Sequence, residues 1–463
     1  MSVLGTGMGF LFLVANLPIN WCAGFILSLA ADRIEQRDDV VDCANLLNTE
    51  GTMTNENVTT RLVTESKKNS YDALIVPSCA NDDSQTENKL KINFYNRSND
   101  FGAETFDFVG MTSATFNNQK TTRLVMLLYY LNIFLVLGNY IVVMSHAVVA
   151  FLNDDVNDDG IFSCTPVAGL LASTLMFAVS QLRTMARLGR TASLLSLLSL
   201  GVVVAQCLYF SRLDLEAKND VEEYDDEVGG LRLLLRQFSA LGSIGFAVGS
   251  QKLFLNIRHE FTDRKEAPKS LAVALTVFGS VYVFIIAMAG DNPPGFLFDA
   301  IPRGSLNRQV AGFFLWVHVA VSYAINSQAL CSSMDRNFFS FWDPMRRWTD
   351  TSRWTALTAI MASTAFFIAN AIPFFKDLVA FCGALTSVPL TLLLPAVFYR
   401  RTCEKVQVWC PEITFDSLHP NRSWASYLLL VYSCVFMIVA TLGSIYSIQS
   451  DWKQHPGGFF SCR

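Results

Sequence analysis

The chain has 463 residues, 51% of them hydrophobic and only 16% charged, with 36 phenylalanines and a mean hydropathy of +0.33. A soluble domain carries about 25% charged residues. Here the apolar residues also gather in long runs instead of alternating, which excludes an ordinary soluble domain and points to a multi-pass membrane protein.

A helix needs about 20 mostly apolar residues to cross the hydrocarbon core of a bilayer. Ten runs qualify: 4–31, 122–151, 164–182, 193–210, 233–256, 270–290, 309–331, 354–373, 376–398 and 424–448. The expected fold is therefore all-α, a polytopic membrane protein of about ten transmembrane helices. The first run has no basic segment ahead of it and is too long for the apolar part of a signal peptide, so it reads as a spanning helix. Residues 32–121 follow, rich in Asn, Thr, Ser and Asp. Such a stretch buries too little apolar surface to offset its ordering entropy, and it reads as a largely disordered loop. Its end, "TFDFVGMTSATF", is more apolar and is expected to lie against the membrane. Residues 122–463 then hold a core of nine helices.

Orientation follows from lysine and arginine in the short loops. Loops 183–192, 257–269, 332–353 and 399–423 together carry 15 such residues. The alternate set, 152–163, 211–232, 290–308, 374–377 and the tail 449–463, carries 8, and includes the acidic runs "NDDVNDD" and "VEEYDDE". The first set is expected in the cytoplasm, and loop 32–121 with it. The sequons at Asn57, Asn96 and Asn421 then face the cytoplasm and are expected to carry no glycan.

Signals of other functions are missing. The net charge of −5 is split by sign between loops, and no basic patch with interleaved aromatics points to nucleic acid. The 11 cysteines are scattered, with no CxxC pair and no Cys/His cluster at metal-ligand spacing, so they read as free thiols used as small apolar residues. "HEFTD" at 259–263 lacks the second histidine of a zinc protease helix, and no GxSxG occurs. No enzyme, metal site or organic cofactor is expected.

One run carries a contradiction. In "ALGSIGFAVGSQ", residues 240–251, an otherwise spanning segment holds Gly242, Gly245 and Gly249 among Ser239, Ser243 and Ser250. In hydrocarbon every backbone polar group must be satisfied within the protein, so a broken helix is costly unless the freed groups meet a ligand, an ion or a cavity. Secondary transporters use such breaks, aiming half-helix ends at substrate and ions. The alternative is a small-xxx-small face, Gly245 to Gly249, for close helix packing. The residues alone leave the two readings even.

Several segments resemble the amino acid/auxin permease family. "FSALGSIGFAVGSQKLFLNIRHEF" resembles its sixth helix, "VHVAVSYAINSQAL" (317–330) its eighth, "IPFFKDLVAFCGALTSVPLTLLLPAVFYRR" (372–401) its ninth-to-tenth region and "YYLNIFLVLGNYIVVMSHAV" (129–148) its third. The resemblance covers most of the chain outside 32–104. It implies a LeuT-like fold of two inverted five-helix repeats with broken first and sixth helices, followed by an eleventh. In this chain the broken helix would be 233–256. "LFLVANLPINWCAGFILSLAADRIE" resembles the family's second helix. Charge bias, helix count and this similarity together lead to the expectation that the family's first helix, and the half of the substrate site it supplies, is absent.

The resemblance implies ion-coupled amino acid transport by alternating access. Backbone N–H groups at a half-helix N-terminus would meet the substrate carboxylate, and freed carbonyls its amine. The substrate-site candidates it gives are Ser239, Gly242, Ser243, Gly245 and Phe246, with Phe246 walling the side-chain pocket. Asn139 and Tyr140 join from the third-helix match, and Ser322, Tyr323 and Asn326 from the eighth. For each of the polar ones, an interhelical hydrogen bond is the plainer alternative. No Asp or Glu lies in the middle of a span, so the candidates for proton coupling are His318 and His146. Lys252 is expected to pair with an acid such as Glu260. Proton and sodium coupling both stay open. The expected partners are a small amino acid and the lipid bilayer. The expected setting is a eukaryotic plasma or vacuolar/endosomal membrane. A sensor or scaffold built on the transporter fold is the alternative function.

Overall fold

The structure, a computed structural model, describes residues 6–49, 107–116, 118–152, 164–181, 185–218, 230–289, 294–339, 349–371, 375–409 and 420–454. Among them there is no strand. The chain divides into two compact units, Met1–Ala30 with Asp107–Arg463, and Ala31–Phe106. Sequons Asn57 and Asn96 lie outside the described residues.

Helix α1 is Thr6–Thr49, so its helical course continues past residue 31, where a polar loop is expected. In the larger unit, α2 (Phe108–Phe116) is a short helix. The Asp107 carboxylate accepts from the backbone N–H of Gly110 at 2.8 Å, as an N-cap does. The bundle continues with α3 (Gln119–Leu152), α4 (Thr165–Val179), α5 (Met185–Lys218) and α6 (Gly230–Val248). A 3₁₀ turn, Ser250–Leu253, leads to α7 (Phe254–Glu260). Next come α8 (Ala267–Ala289), α9 (Leu306–Met334), α10 (Asp350–Ala371) and α11 (Phe375–Cys382). Two π-helical turns, Gly383–Ser387 and Pro389–Leu393, join α11 to α12 (Leu394–Trp409), and α13 (Pro420–Gln454) closes the bundle.

Among the described residues, eight helices are long and apolar enough to span a bilayer. The shorter apolar α4 and the interrupted pair α6–α7 account for the other two expected runs. The expected single run 376–398 is not one regular helix. Pro389 and Pro395 each remove a backbone donor, and the ladder widens into π turns there. Side-chain hydroxyls take up carbonyls in this stretch: Thr386 donates to the Cys382 carbonyl and Thr391 to that of Ser387, both at 2.8 Å.

Burial sorts the helices into centre and rim. Of the apolar window in Gln119–Leu152, and likewise in Phe375–Glu404, 78% is buried in the protein, against 17% in Arg264–Ala289. Helices α3 and α11–α12 are thus the axis of the bundle. The outward face of α8 (Val273, Val277, Phe284) and that of α5 (Leu194, Leu198) are apolar and exposed, as surfaces for lipid contact should be. Cysteines 207, 331, 382 and 434 are free thiols, as expected. Cys164, the residue before α4, is disulfide-bonded, which corrects the free-thiol reading at that position. Spacing alone could not signal this bond.

Candidate functional site

The glycine-rich segment does both things the sequence left open, and divides them between different glycines. Helix α6 runs without interruption past Gly242 and Gly245 and stops at Val248. Gly249 then leaves helical geometry, with φ −75° and ψ 56°. A Cβ on Gly249 would stand 2.7 Å from the Gly245 carbonyl oxygen, so a larger residue would obstruct the turn. Gly242 and Gly245 serve contact instead. A Cβ on Gly242 would strike the Ala380 carbonyl, and one on Gly245 would come within 2.8 Å of Val388 and 2.9 Å of Phe436. Gly383 replies from the other side, its α-carbon lying against the Gly242 carbonyl. The break is thereby pressed onto the π-helical turns of 383–393 and onto α13. Two irregular backbones meet in the most buried part of the bundle.

A polar cluster lies beside this contact. Asn132 of α3 donates to Thr386 Oγ1 and Ser387 Oγ, both at 2.8 Å, and its Nδ2 is 3.7 Å from the Cys382 sulfur. The Cys382 thiol is within electrostatic reach of both Tyr140 and Lys252. Lys252 Nζ stands 4.7 Å over the Phe246 ring, a cation–π contact across the break. Among the described residues no carboxylate pairs with it, so the expected partner Glu260 is replaced by an aromatic face. Tyr140 accepts from Asn326 of α9 at 3.4 Å. Among the described residues, the buried acceptors Asn132 Oδ1, Asn139 Oδ1, Asn326 Oδ1 and Gln251 Oε1 have no hydrogen-bond partner.

The residues expected at the site are therefore distributed unevenly. Phe246, Tyr140 and Asn326 belong to the cluster. Asn139 is buried and donates to its own helix at the Leu135 carbonyl, 3.3 Å away, while the Ser322 carbonyl accepts from Asn326 at 2.9 Å. Tyr323 is fully buried in the core. Ser239 is buried against Gly443 of α13, and with Gly242 and Gly245 it serves helix packing, while Ser243 is half-buried. His318 is held by α5, with its Nδ1 2.8 Å from Ser196 Oγ and 3.2 Å from the Ser196 carbonyl. His146 packs on Phe296, ring centroids 5.8 Å apart, in the surroundings of Asp299 and Arg308. Sequence reasoning missed Asn132, Thr386 and Ser387. The available signal was a cluster of hydroxyls between Gly383 and Pro389, in the middle of an apolar run. Among the described residues, no group of His, Cys, Asp and Glu could hold a metal ion.

Residues 91–445 match the family described as "Transmembrane amino acid transporter protein". Among curated proteins, the chain is similar to "Lysine histidine transporter-like 4" of Arabidopsis thaliana, 24% identical over 229 residues, 46% of this chain and 46% of that protein. It is likewise similar to "Amino acid permease 2" of the same plant, 25% identical over 249 residues, 47% of each chain. The chain spans about half the length of the curated relatives it matches. A family match over most of its length, with helices long and apolar enough to cross a bilayer, makes this an integral multi-pass membrane protein that belongs to the transmembrane amino acid transporter family.

Proposed function

We propose that the chain carries an amino acid across its membrane by alternating access, coupled to an ion, with the substrate seated where α6 breaks. The observation that carries this reading is the joint occurrence of a broken helix, a buried lysine that pairs with no carboxylate among the described residues and buried amide oxygens that find no donor among them. A zwitterion has the complementary groups. Its carboxylate neutralises Lys252. Its ammonium donates to the amide oxygens of Asn132 and Asn326 and to the carbonyl end of α6, where the helix dipole is negative. Phe246 walls the side chain. Lys252 thus takes the part first assigned to backbone N–H groups.

The disulfide at Cys164 fits an acidic end of the bundle that faces an oxidising, non-cytoplasmic compartment. That agrees with the orientation inferred from loop charge.

The test is uptake of radiolabelled amino acids into proteoliposomes of the purified chain, with and without sodium and across a pH step. Lys252→Met removes one charge-assisted hydrogen bond, worth about 1.5–3 kcal/mol. It is expected to raise KM roughly 10- to 100-fold. Unchanged KM in Lys252→Met excludes the lysine from the site. Substrate binding without uptake by the unmodified chain would favour a sensor over a carrier.

A further inference from the structure

A second ionisable cluster lies outside the site just described, at the acidic end of the bundle. Asp377 sits in the first turn of α11 and is 0% exposed. Ser447 of α13 donates to its Oδ1 at 2.7 Å. Among the described residues, its Oδ2 has no donor. Lys376, the adjacent residue, turns away and pairs with Asp451 Oδ2 at 3.3 Å. Asp451 lies within hydrogen-bonding reach of Asp377, so two carboxyl groups from two helices face each other. The groups that act electrostatically on Asp377 are Asp451 from α13 and Lys376 from its own helix. Helices α6 and α3 also pack on α11, and among the described residues neither brings a charged group to it.

The charge balance of this cluster depends on one proton. Two ionised carboxylates and one ammonium leave a net negative charge on a buried group, with an orphan acceptor and a like charge beside it. Carboxyl groups so placed do not both ionise. A single proton on Asp377 Oδ2 changes all of this. The orphan oxygen becomes a donor to Asp451, and the remaining carboxylate is matched by Lys376. The cluster is then neutral and Asp377 Oδ2 has a partner.

We propose that Asp377 and Asp451 share one exchangeable proton, and that this carboxyl pair is the proton-binding site of the carrier. The coupling role rests on the transport reading above; the shared proton does not. On release, the O–H bond of the Asp377 carboxyl breaks and leaves its electron pair on Oδ2, while the proton passes by way of Asp451 to water. Asp451 is suited to be the relay because 22% of its side chain is exposed, whereas Asp377 has no access to solvent. Loss of the proton sets two negative charges against each other across the α11–α13 contact. One turn further along α11, the Ala380 carbonyl abuts Gly242. Repulsion between α11 and α13 therefore acts on the two helices that clasp α6 next to its break.

The test has two arms on the full chain. In the first, infrared difference spectroscopy of the purified protein across a pH step should show a protonated-carboxyl C=O band that disappears on alkalinisation. Asp377→Asn and Asp451→Asn should each abolish it. Survival of the band in both variants, or its absence from the unmodified chain, overturns the shared proton. In the second arm, uptake should rise as the acidic-end compartment is acidified. Whatever uptake remains in Asp377→Asn should be flat, with a ratio between acidic and alkaline conditions of about one. A pH response retained by both variants overturns the coupling role. If the band behaves as expected but the unmodified chain transports nothing, the proton site stands and the carrier reading falls.

Discussion

Asp107 and Asp377 are both buried carboxyl groups near the ends of the bundle, and the structure compensates only one of them. Asp107, just ahead of α2, accepts from Gly110 N at 2.8 Å, Ser333 Oγ at 2.5 Å and Arg336 Nη2 at 3.0 Å. Tyr130 extends the network, with its hydroxyl 3.2 Å from Ser333 Oγ and accepting from Asn337 at 2.9 Å. Asp377 has a single hydroxyl donor and a second carboxyl for a neighbour. The first arrangement is an ion pair with two further hydrogen bonds that fastens α2 to α3 and α9. The second suits a group that gains and loses a proton. Asp107 has a guanidinium and two further donors, whereas Asp377 has one hydroxyl donor and a like-charged neighbour.

Isosteric amides on both sides are the strongest way to break this comparison. Asp107→Asn removes the charge opposite Arg336 and should destabilise the protein by about 3 kcal/mol or more, the cost of breaking a buried pair. Thermal unfolding in detergent would read it. Asp377→Asn keeps the hydrogen bond with Ser447 and offers an amide donor to Asp451, so its stability should stay within about 1 kcal/mol of the parent. Equal losses in the two variants would mean that both aspartates are structural anchors.

The second contrast is between glycines. Gly383→Ala pushes a methyl into the Gly242 carbonyl, and overpacking of this kind costs about 1–3 kcal/mol. Gly201 of α5 has nothing within 4 Å of where a Cβ would stand. Gly201→Ala should therefore be neutral or stabilising by up to about 1 kcal/mol through helix propensity. If Gly383→Ala is as well tolerated, the contact between the break and the π turns is loose, and the proposed substrate site loses its fixed wall.

These contrasts also explain what the sequence can and cannot reveal. The ten apolar runs are legible because bilayer thickness imposes a length and a composition on any helix that crosses it. A break between 242 and 249 is only half legible: glycine and serine are poor helix formers, but the same residues read equally well as a packing face. Which glycine breaks the helix is not legible. Gly242 and Gly245 differ from Gly249 only in what packs on them, and those neighbours, Ala380, Val388 and Phe436, come from distant segments. The π turns are hidden for a related reason, because prolines in an apolar run give the same pattern whether the ladder kinks or widens. Asp377 escaped notice because a search for acids in the middle of spans skips their first turn. Its partners Ser447 and Asp451 lie on α13, far along the chain. Lys252 was visible as an intramembrane cation, but its aromatic partner Phe246 becomes a neighbour only once the helix turns at Gly249.

His318 gives the smallest expected effect and separates two proton routes. The imidazole lies on the α5 side of α9, where Ser196 offers it both a hydroxyl and a carbonyl. Both contacts are to one residue of a rim helix, and neither leads to the Cys382 cluster or to Asp377. A histidine fixed this way fastens two helices. His318→Ala should cost about 1 kcal/mol, one hydrogen bond's worth of stability, and Ser196→Ala should cost a similar amount. If the proton travels through Asp377 and Asp451, the pH response of uptake in His318→Ala should match that of the parent, with only the expression level or melting temperature lowered. A flat pH profile in His318→Ala would move the proton site to the α5–α9 contact and leave the acidic-end carboxyl pair without a transport role.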